Sequence, residues 1–245
     1  MLNILRASQS RPFQSGGFRI NRVRPGQAIP ALKDNAFGPL SVIDHANLSQ
    51  GTIVRMHEHN NDEIFSYLWR GSMVHEDSAG QRATLSADNL MLMNAGKSFW
   101  HEESTPFEAN EMLQIFIRPW KADLEGQVQF MQRPAGIESD AWTLLVAPEG
   151  ETAPLNVRQH VYVFDRKLNE NSVTEIPFYP GMGTWLYVLD GEIETGEHVI
   201  RKGDALASED ESLPAIKANL PTIAVCFLVK LDATSTNHGT ISGAA

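Results

Sequence analysis

The chain has 245 residues, 42% of them hydrophobic, and its 30 acidic against 20 basic side chains give a formal net charge of −10. This suits a globular protein of one large domain or two smaller ones, and it disfavours binding of nucleic acid or anionic lipid by charge. Five arginines in the first 24 residues (Arg6, Arg11, Arg19, Arg22, Arg24) come without the apolar stretch of a secretory signal. The longest apolar run, Ile223 to Val229, is about a third of a membrane span, and the lone Cys226 inside it reads as a small buried residue with no disulfide partner. Together these features predict a cytoplasmic protein.

In chain order, short apolar or alternating runs recur about every ten residues: Leu40–Ile43, Gly51–Met56, Ile64–Trp69, Asn89–Met93 and Met112–Ile117. Turn signals such as Asp77-Ser78-Ala79-Gly80 and Asn94-Ala95-Gly96 separate them. Evenly spaced short strands with such punctuation predict an all-β sandwich or barrel. Leu68–Gly71, Ser72–Glu76 and Gly80–Ala83 read as a hairpin with its tip near Asp77–Gly80. The segment from Lys121 to Asp140 reads as a linker, and the small, polar tail from Ala233 to Ala245 as disordered.

The second half repeats the first. Tyr67-Leu68-Trp69-Arg70-Gly71 parallels Tyr187-Val188-Leu189-Asp190-Gly191, and Ala87-Asp88-Asn89-Leu90 parallels Gly203-Asp204-Ala205-Leu206. Seventeen positions separate Gly71 from Asp88 and thirteen separate Gly191 from Asp204, which a shorter second hairpin would explain. Two similar β-barrel domains are therefore expected from an internal duplication, residues 1–125 and 126–232, ahead of the tail 233–245.

Two stretches carry metal-type residues. Met56-His57-Glu58-His59 is followed by Glu63, and Trp100-His101-Glu102-Glu103 lies some forty positions further on. Side chains two apart on a strand share a face, so His57 pairs with His59 and His101 with Glu103. On opposed strands of a barrel, three imidazoles and a carboxylate would converge. Such a set leaves open positions on a divalent ion and suits redox-active Fe(II) first, while also admitting Ni, Mn, Cu or Zn. Glu58 and Glu102 alternate to the other face, and Glu63 is either a further ligand or the partner that orients an imidazole. Phe65, Trp69, Phe99 and Trp100 read as core or pocket lining. His45, His75, His160, His198 and His238 lack ligand spacing and read as surface or locally bonded. The steps that reach the histidines from Gly71 and Asp88 reach Pro177, Tyr179, Lys217 and Asn219 in the second half, so the ligand set belongs to the first barrel alone.

Gly51-x5-His57-x-His59-x3-Glu63-x7-Gly71 resembles the first cupin motif, and Asn94-Ala95-Gly96-x4-His101 a variant of the second. A glutamate two residues after that histidine is similar to the pirin family, as are Phe37–His45 and Val74–Gly80. The resemblance spans about Phe18 to Ile117. It implies a bicupin, two barrels of double-stranded β-helix type, the second a degenerate cupin without ligands. It implies Fe(II) held by His57, His59, His101 and Glu103. For some members it implies quercetin 2,3-dioxygenase activity on a flavonol- or catechol-like substrate; for others, a metal- or redox-sensing role through a protein partner. In the enzyme reading Glu103, or else Glu63, takes the substrate proton, and Phe65, Phe99, Glu58 and Glu102 line the pocket. The chain departs from the pirin pattern at Glu58, at Asn60-Asn61-Asp62 and at Glu102, which are expected to make the pocket mouth more polar and acidic.

Overall fold

The computed structural model describes residues 1–30 and 34–243. The first half runs β1 (Asn3–Leu5), β2 (Arg11–Ser15), β3 (Phe18–Val23), β4 (Leu40–Leu48), β5 (Ile53–His59), β6 (Glu63–Arg70), β7 (Ser72–Asp77), β8 (Arg82–Ser86), β9 (Asn89–Asn94), β10 (Phe99–Ser104), β11 (Asn110–Ile117) and β12 (Gln127–Gln132). The second runs β13 (Thr143–Pro148), β14 (Leu155–Val157), β15 (Val161–Leu168), β16 (Val173–Thr174), β17 (Gly183–Asp190), β18 (Glu192–Thr195), β19 (His198–Arg201), β20 (Ala205–Ser208), β21 (Ile216–Ala218) and β22 (Thr222–Val229). The all-β bicupin expected from the sequence is what forms. One sheet runs β2-β3-β4-β11-β6-β9-β8-β7-β10-β5; the second half splits into β1-β20-β17-β22-β15-β13-β14 and β16-β21-β18-β19.

The central strands read as unbroken apolar runs because both of their faces are covered. One face of β4, β6, β9 and β11 fills the first barrel with Val42, Ile64, Leu68, Met91, Met93 and Phe116. The other face carries Ile43, Phe65, Tyr67, Trp69, Leu92 and Ile115 into a core shared with Trp185, Tyr187 and Phe227 of the second half. Each such side chain contributes about 1.5–3 kcal/mol on burial, so the shared core holds the two barrels together. The second barrel has its own filling, including Leu186, Ile193, Leu206, Ile216 and Ala218.

The landmark glycines are tied to tight turns. Gly71 links β6 to β7 at φ 70°, and a Cβ there would lie 2.0 Å from the Ala109 carbonyl oxygen. Gly191 links β17 to β18 at φ 90°, with a Cβ 2.4 Å from the Pro221 carbonyl oxygen. A side chain fits neither place.

Three sequence expectations need correction. The stretch read as linker contains β12, which pairs along the whole of β9. Chain position does not divide the barrels cleanly, because β1 from the N-terminus pairs with β20 in the second half. The tail is not loose: Thr236 N bonds the Pro119 carbonyl, and Thr240 to Ser242 dock on the first barrel.

Candidate metal centre

The two histidine strands are hydrogen-bonded neighbours rather than opposed walls. β5 and β10 pair antiparallel, with His101 directly across from His57 and Phe99 across from His59. Residues that face each other across such a pair share a side, so the three imidazoles point into the first barrel. The register then shifts, which sets Glu103 across from Val54 on the same side.

The ligating atoms of His57, His59 and His101 all lie within 4.8 Å of one another. Two rings are fixed from behind. His57 Nδ1 donates to the Arg55 carbonyl at 2.8 Å, and His59 Nδ1 donates to Asp62 Oδ2 at 2.9 Å. Each bond leaves Nε2 free to face inward, as a metal ligand must. His101 Nε2 lies 3.1 Å from His57 Nε2, and its buried Nδ1 has no hydrogen-bond partner. Burial, with the neighbouring imidazoles, pushes His101 well below the usual imidazole range; burial likewise lowers His57. Neutral imidazoles that have lost water and gained no proton are the state that binds a cation. The donor set fits a divalent metal.

Glu103 stands beside this cluster. Its Oε1 lies 3.9 Å from His101 Nδ1 and accepts Gln114 Nε2 at 3.0 Å. Burial pushes its carboxyl up to about 7 against the pull of Gln114. His57, His59 and Glu103 open onto a cavity of about 510 Å³ with Ile20, Val54 and Phe116 on its apolar side.

The other predicted residues divide. Glu58 reaches the cavity rim, where Ser98 Oγ donates to it at 2.5 Å. Phe99 is buried in the first barrel's core. Glu102 turns outward and accepts the Met56 backbone N–H at 3.3 Å, outside the cavity wall. Phe65 and Glu63 lie on the opposite face of β6: Phe65 is in the inter-barrel core, and Glu63 meets the second barrel. There Arg158 Nε and its backbone N–H each donate to Glu63 at 3.0 Å, and Asn94 Nδ2 donates as well. A carboxylate so engaged, on the wrong side of its strand, is not placed to take a proton from a ligand in the cavity.

Asn60-Asn61-Asp62 is not a polar mouth. Asn61 and Asp62 are buried, and Asp62 collects the Ser242 N–H at 3.0 Å, the Ser242 hydroxyl at 2.6 Å and the Ile241 N–H at 3.1 Å. Thr240 and Ile241 then roof part of the cavity. Spacing arguments missed Asp62 and Gln114, which hold the metal-side residues in place; their local signal was only that they are polar. Of the two readings of His75, surface or locally bonded, the second holds: it is fully buried, 3.0 Å from Asp77 two residues on, with its ring 5.4 Å from that of His101.

Fold and site together define a two-barrel cupin with a triad of imidazoles in the first barrel. The pirin family model matches residues 17–117, and the model of the quercetinase C-terminal cupin domain matches 144–228. The chain belongs to the pirin family. The quercetin 2,3-dioxygenase of Escherichia coli K12 is 25% identical over 195 residues, 78% of this chain and 82% of that protein. The structure of YhhW from Escherichia coli superposes with a TM-score of 0.80 at 20% identity, covering 94% of this chain and 97% of that one. A nickel(II) complex of that bacterial pirin gives the same TM-score. A quercetin 2,3-dioxygenase structure from Acinetobacter baumannii gives 0.76 at 20% identity, covering 94% and 79%.

Proposed function

We propose that the chain is a metal-dependent dioxygenase of quercetinase type, acting on an aromatic substrate with adjacent oxygen donors. The observation that carries this reading is a cluster of three inward-facing imidazoles, two of which, His57 and His59, open onto a partly apolar cavity. His57, His59 and His101 would hold a divalent ion, Fe(II) first, with Ni, Mn, Cu or Zn as the other ions the donors admit. When bound, the ion supplies Lewis acidity and redox reach beside the substrate's oxygens. Glu103 would complete the ligand set or, on substrate binding, accept the hydroxyl proton; its upward-shifted carboxyl suits a base near neutral pH. Ile20, Val54 and Phe116 would hold the ring flat and exclude water. The similarity to named quercetin 2,3-dioxygenases supports the choice of reaction.

The test is oxygen uptake by the iron-loaded protein on quercetin, with His57→Ala and His101→Ala as controls. Uptake that disappears with the bound metal in both variants supports the reading. Metal content unchanged in either variant would remove the assigned site.

A second reading is a metal-sensing module read by a protein partner. Ile53, Met56 and Trp100 are exposed on the outer faces of the same two strands, where a partner would feel the ligands reset. No uptake across flavonols and catechols, with metal-dependent exposure of these residues, would favour it.

A further inference from the structure

β7 ends in His75-Glu76-Asp77, and strand alternation puts His75 and Asp77 on one side with Glu76 on the other. β7 pairs with β10 so that His75 lies across from Glu103 and Asp77 across from His101. Both side chains therefore enter the first barrel beside the metal-side residues, and neither retains any exposure. A polar pair shut into an apolar filling has to be matched bond for bond.

Asp77 is matched. Its Oδ1 accepts the Ala79 and Gln81 backbone N–H groups at 2.9 and 3.0 Å, and its Oδ2 lies 3.0 Å from His75 Nε2. A carboxylate that only accepts leaves the shared proton on His75 Nε2. His75 Nδ1 then carries a lone pair, and it is buried without a hydrogen-bond partner. Asp77 alone closes the hairpin tip, so the turn does not explain an imidazole at position 75.

His101 has the complementary need. Its Nε2 faces His57 Nε2 at 3.1 Å, so Nε2 is the atom placed to meet a metal. A neutral imidazole that ligates through Nε2 keeps its proton on Nδ1 and donates it to a fixed acceptor. His101 Nδ1 is also buried without a partner. Glu103 Oε1 stands 3.9 Å from it, beyond hydrogen-bond reach, and is held by Gln114. The His75 and His101 rings lie with their centres 5.4 Å apart and their planes at 50°, a separation that one hydrogen bond between ring nitrogens can span.

We propose that His75 and Asp77 are positioning residues for the metal centre: His101 Nδ1–H donates to His75 Nδ1, and Asp77 holds the His75 proton on Nε2 so that Nδ1 can accept. This rests on His57, His59 and His101 being the metal triad, and not on the reaction proposed for it. The Arg55 carbonyl fixes His57 from behind and Asp62 fixes His59; the Asp77–His75 pair does the same for the third ring. It also makes His101 a more basic ligand.

The test uses the Zn(II)-loaded protein. Long-range nitrogen–proton NMR spectra should show His75 protonated on Nε2 and a coupling between the Nδ1 atoms of His75 and His101. A proton on His75 Nδ1, or no coupling, overturns the proposal. His75→Phe keeps a ring but removes the acceptor, and should weaken Zn(II) binding roughly 10- to 100-fold in competition with a chromogenic chelator. His75→Asn puts an oxygen where Nδ1 stood and should recover most of that loss. Asp77→Asn keeps an oxygen for Ala79 and Gln81 but turns an NH2 toward His75 Nε2. The His75 proton then moves to Nδ1 and meets the His101 N–H, so binding should weaken as in His75→Phe. Unchanged affinity in His75→Phe or Asp77→Asn, or equal losses in His75→Phe and His75→Asn, would reduce His75 to packing. Should His75→Phe fail to fold, the spectra of the native protein and Asp77→Asn decide. His57→Ala separates the two readings. Zn(II) lost there but held at native affinity in the His75 and Asp77 variants removes the relay alone; Zn(II) unchanged in His57→Ala removes the triad and the relay with it.

Discussion

Asp62 joins the end of the chain to the metal side of the first barrel. One oxygen takes the His59 Nδ1 proton and the other takes both donors of Ser242, 180 positions away in sequence. Removing it frees the His59 ring to rotate and leaves buried donors without acceptors. Asp62→Ala should weaken metal binding roughly 10- to 100-fold, read by competition with a chromogenic chelator. An unchanged affinity would confine Asp62 to holding the tail. Glu63, one residue on, should behave in the opposite way. Glu63→Ala strands the buried Arg158 charge and should cost about 3–5 kcal/mol in denaturant unfolding, with metal content unchanged. A large loss of activity at unchanged stability would instead restore it as a base. The contrast shows what the sequence could tell. His57, His59 and His101 were legible because side chains two apart on a strand share a face, which needs only the local pattern. Glu63 was not, because both faces of β6 are apolar and alternation does not say which one meets the other barrel.

At the scale of elements, the strands of the first barrel were visible as apolar runs and the glycine turns as punctuation. The pairing of β5 with β10 was not, since neighbours in a barrel are set by long-range closure rather than by local order. The tail was hidden for a different reason. Its Thr, Ser, Asn and Gly residues offer little apolar surface, so its order comes from hydrogen bonds to a buried carboxylate and to partners far back in the chain. The Ser242 carbonyl accepts Ser41 Oγ at 2.6 Å and Arg118 Nε at 2.8 Å. Ending the chain at His238 should therefore deprive Asp62, Ser41 and Arg118 of partners at once. Hydrogen exchange should accelerate from Asn60 to Glu63 and metal binding should weaken, while β15, β17 and β22 keep their protection. Unaltered exchange at Asn60–Glu63 would show that the strap contributes nothing to the site.

At the scale of the molecule, the two barrels differ: one carries candidate metal ligands on β5 and β10, and the other turns Ile216 and Ala218 of β21 into its core. They are joined by an apolar core and, at its rim, by a charged latch on Glu111 of β11. His45 Nε2 lies 2.9 Å from Glu111, and Lys202 of the second barrel lies 2.5 Å from it. Arg70 is 3.6 Å away, and the other nitrogen of His45 lies 2.9 Å from the Tyr187 hydroxyl. Burial pushes the Glu111 carboxyl up, but the bonds to His45 and Lys202 outweigh it and hold it at about 2, below its ordinary 4.5. A carboxyl lowered by folding stabilises the fold fully above its unfolded value and loses that contribution as pH falls toward the folded one. The full shift corresponds to roughly 3.4 kcal/mol, which solvent screening at the rim reduces to about 2 kcal/mol; the latch should contribute this above pH 4.5 and give it up between pH 4.5 and 2. Glu111→Gln should lower stability at pH 7 by that order and flatten its decline across the acid window, read by urea unfolding at each pH. The native curve and the variant's should converge near pH 2. Parallel curves would mean that the apolar core alone joins the barrels and that Glu111 is a bystander at its edge.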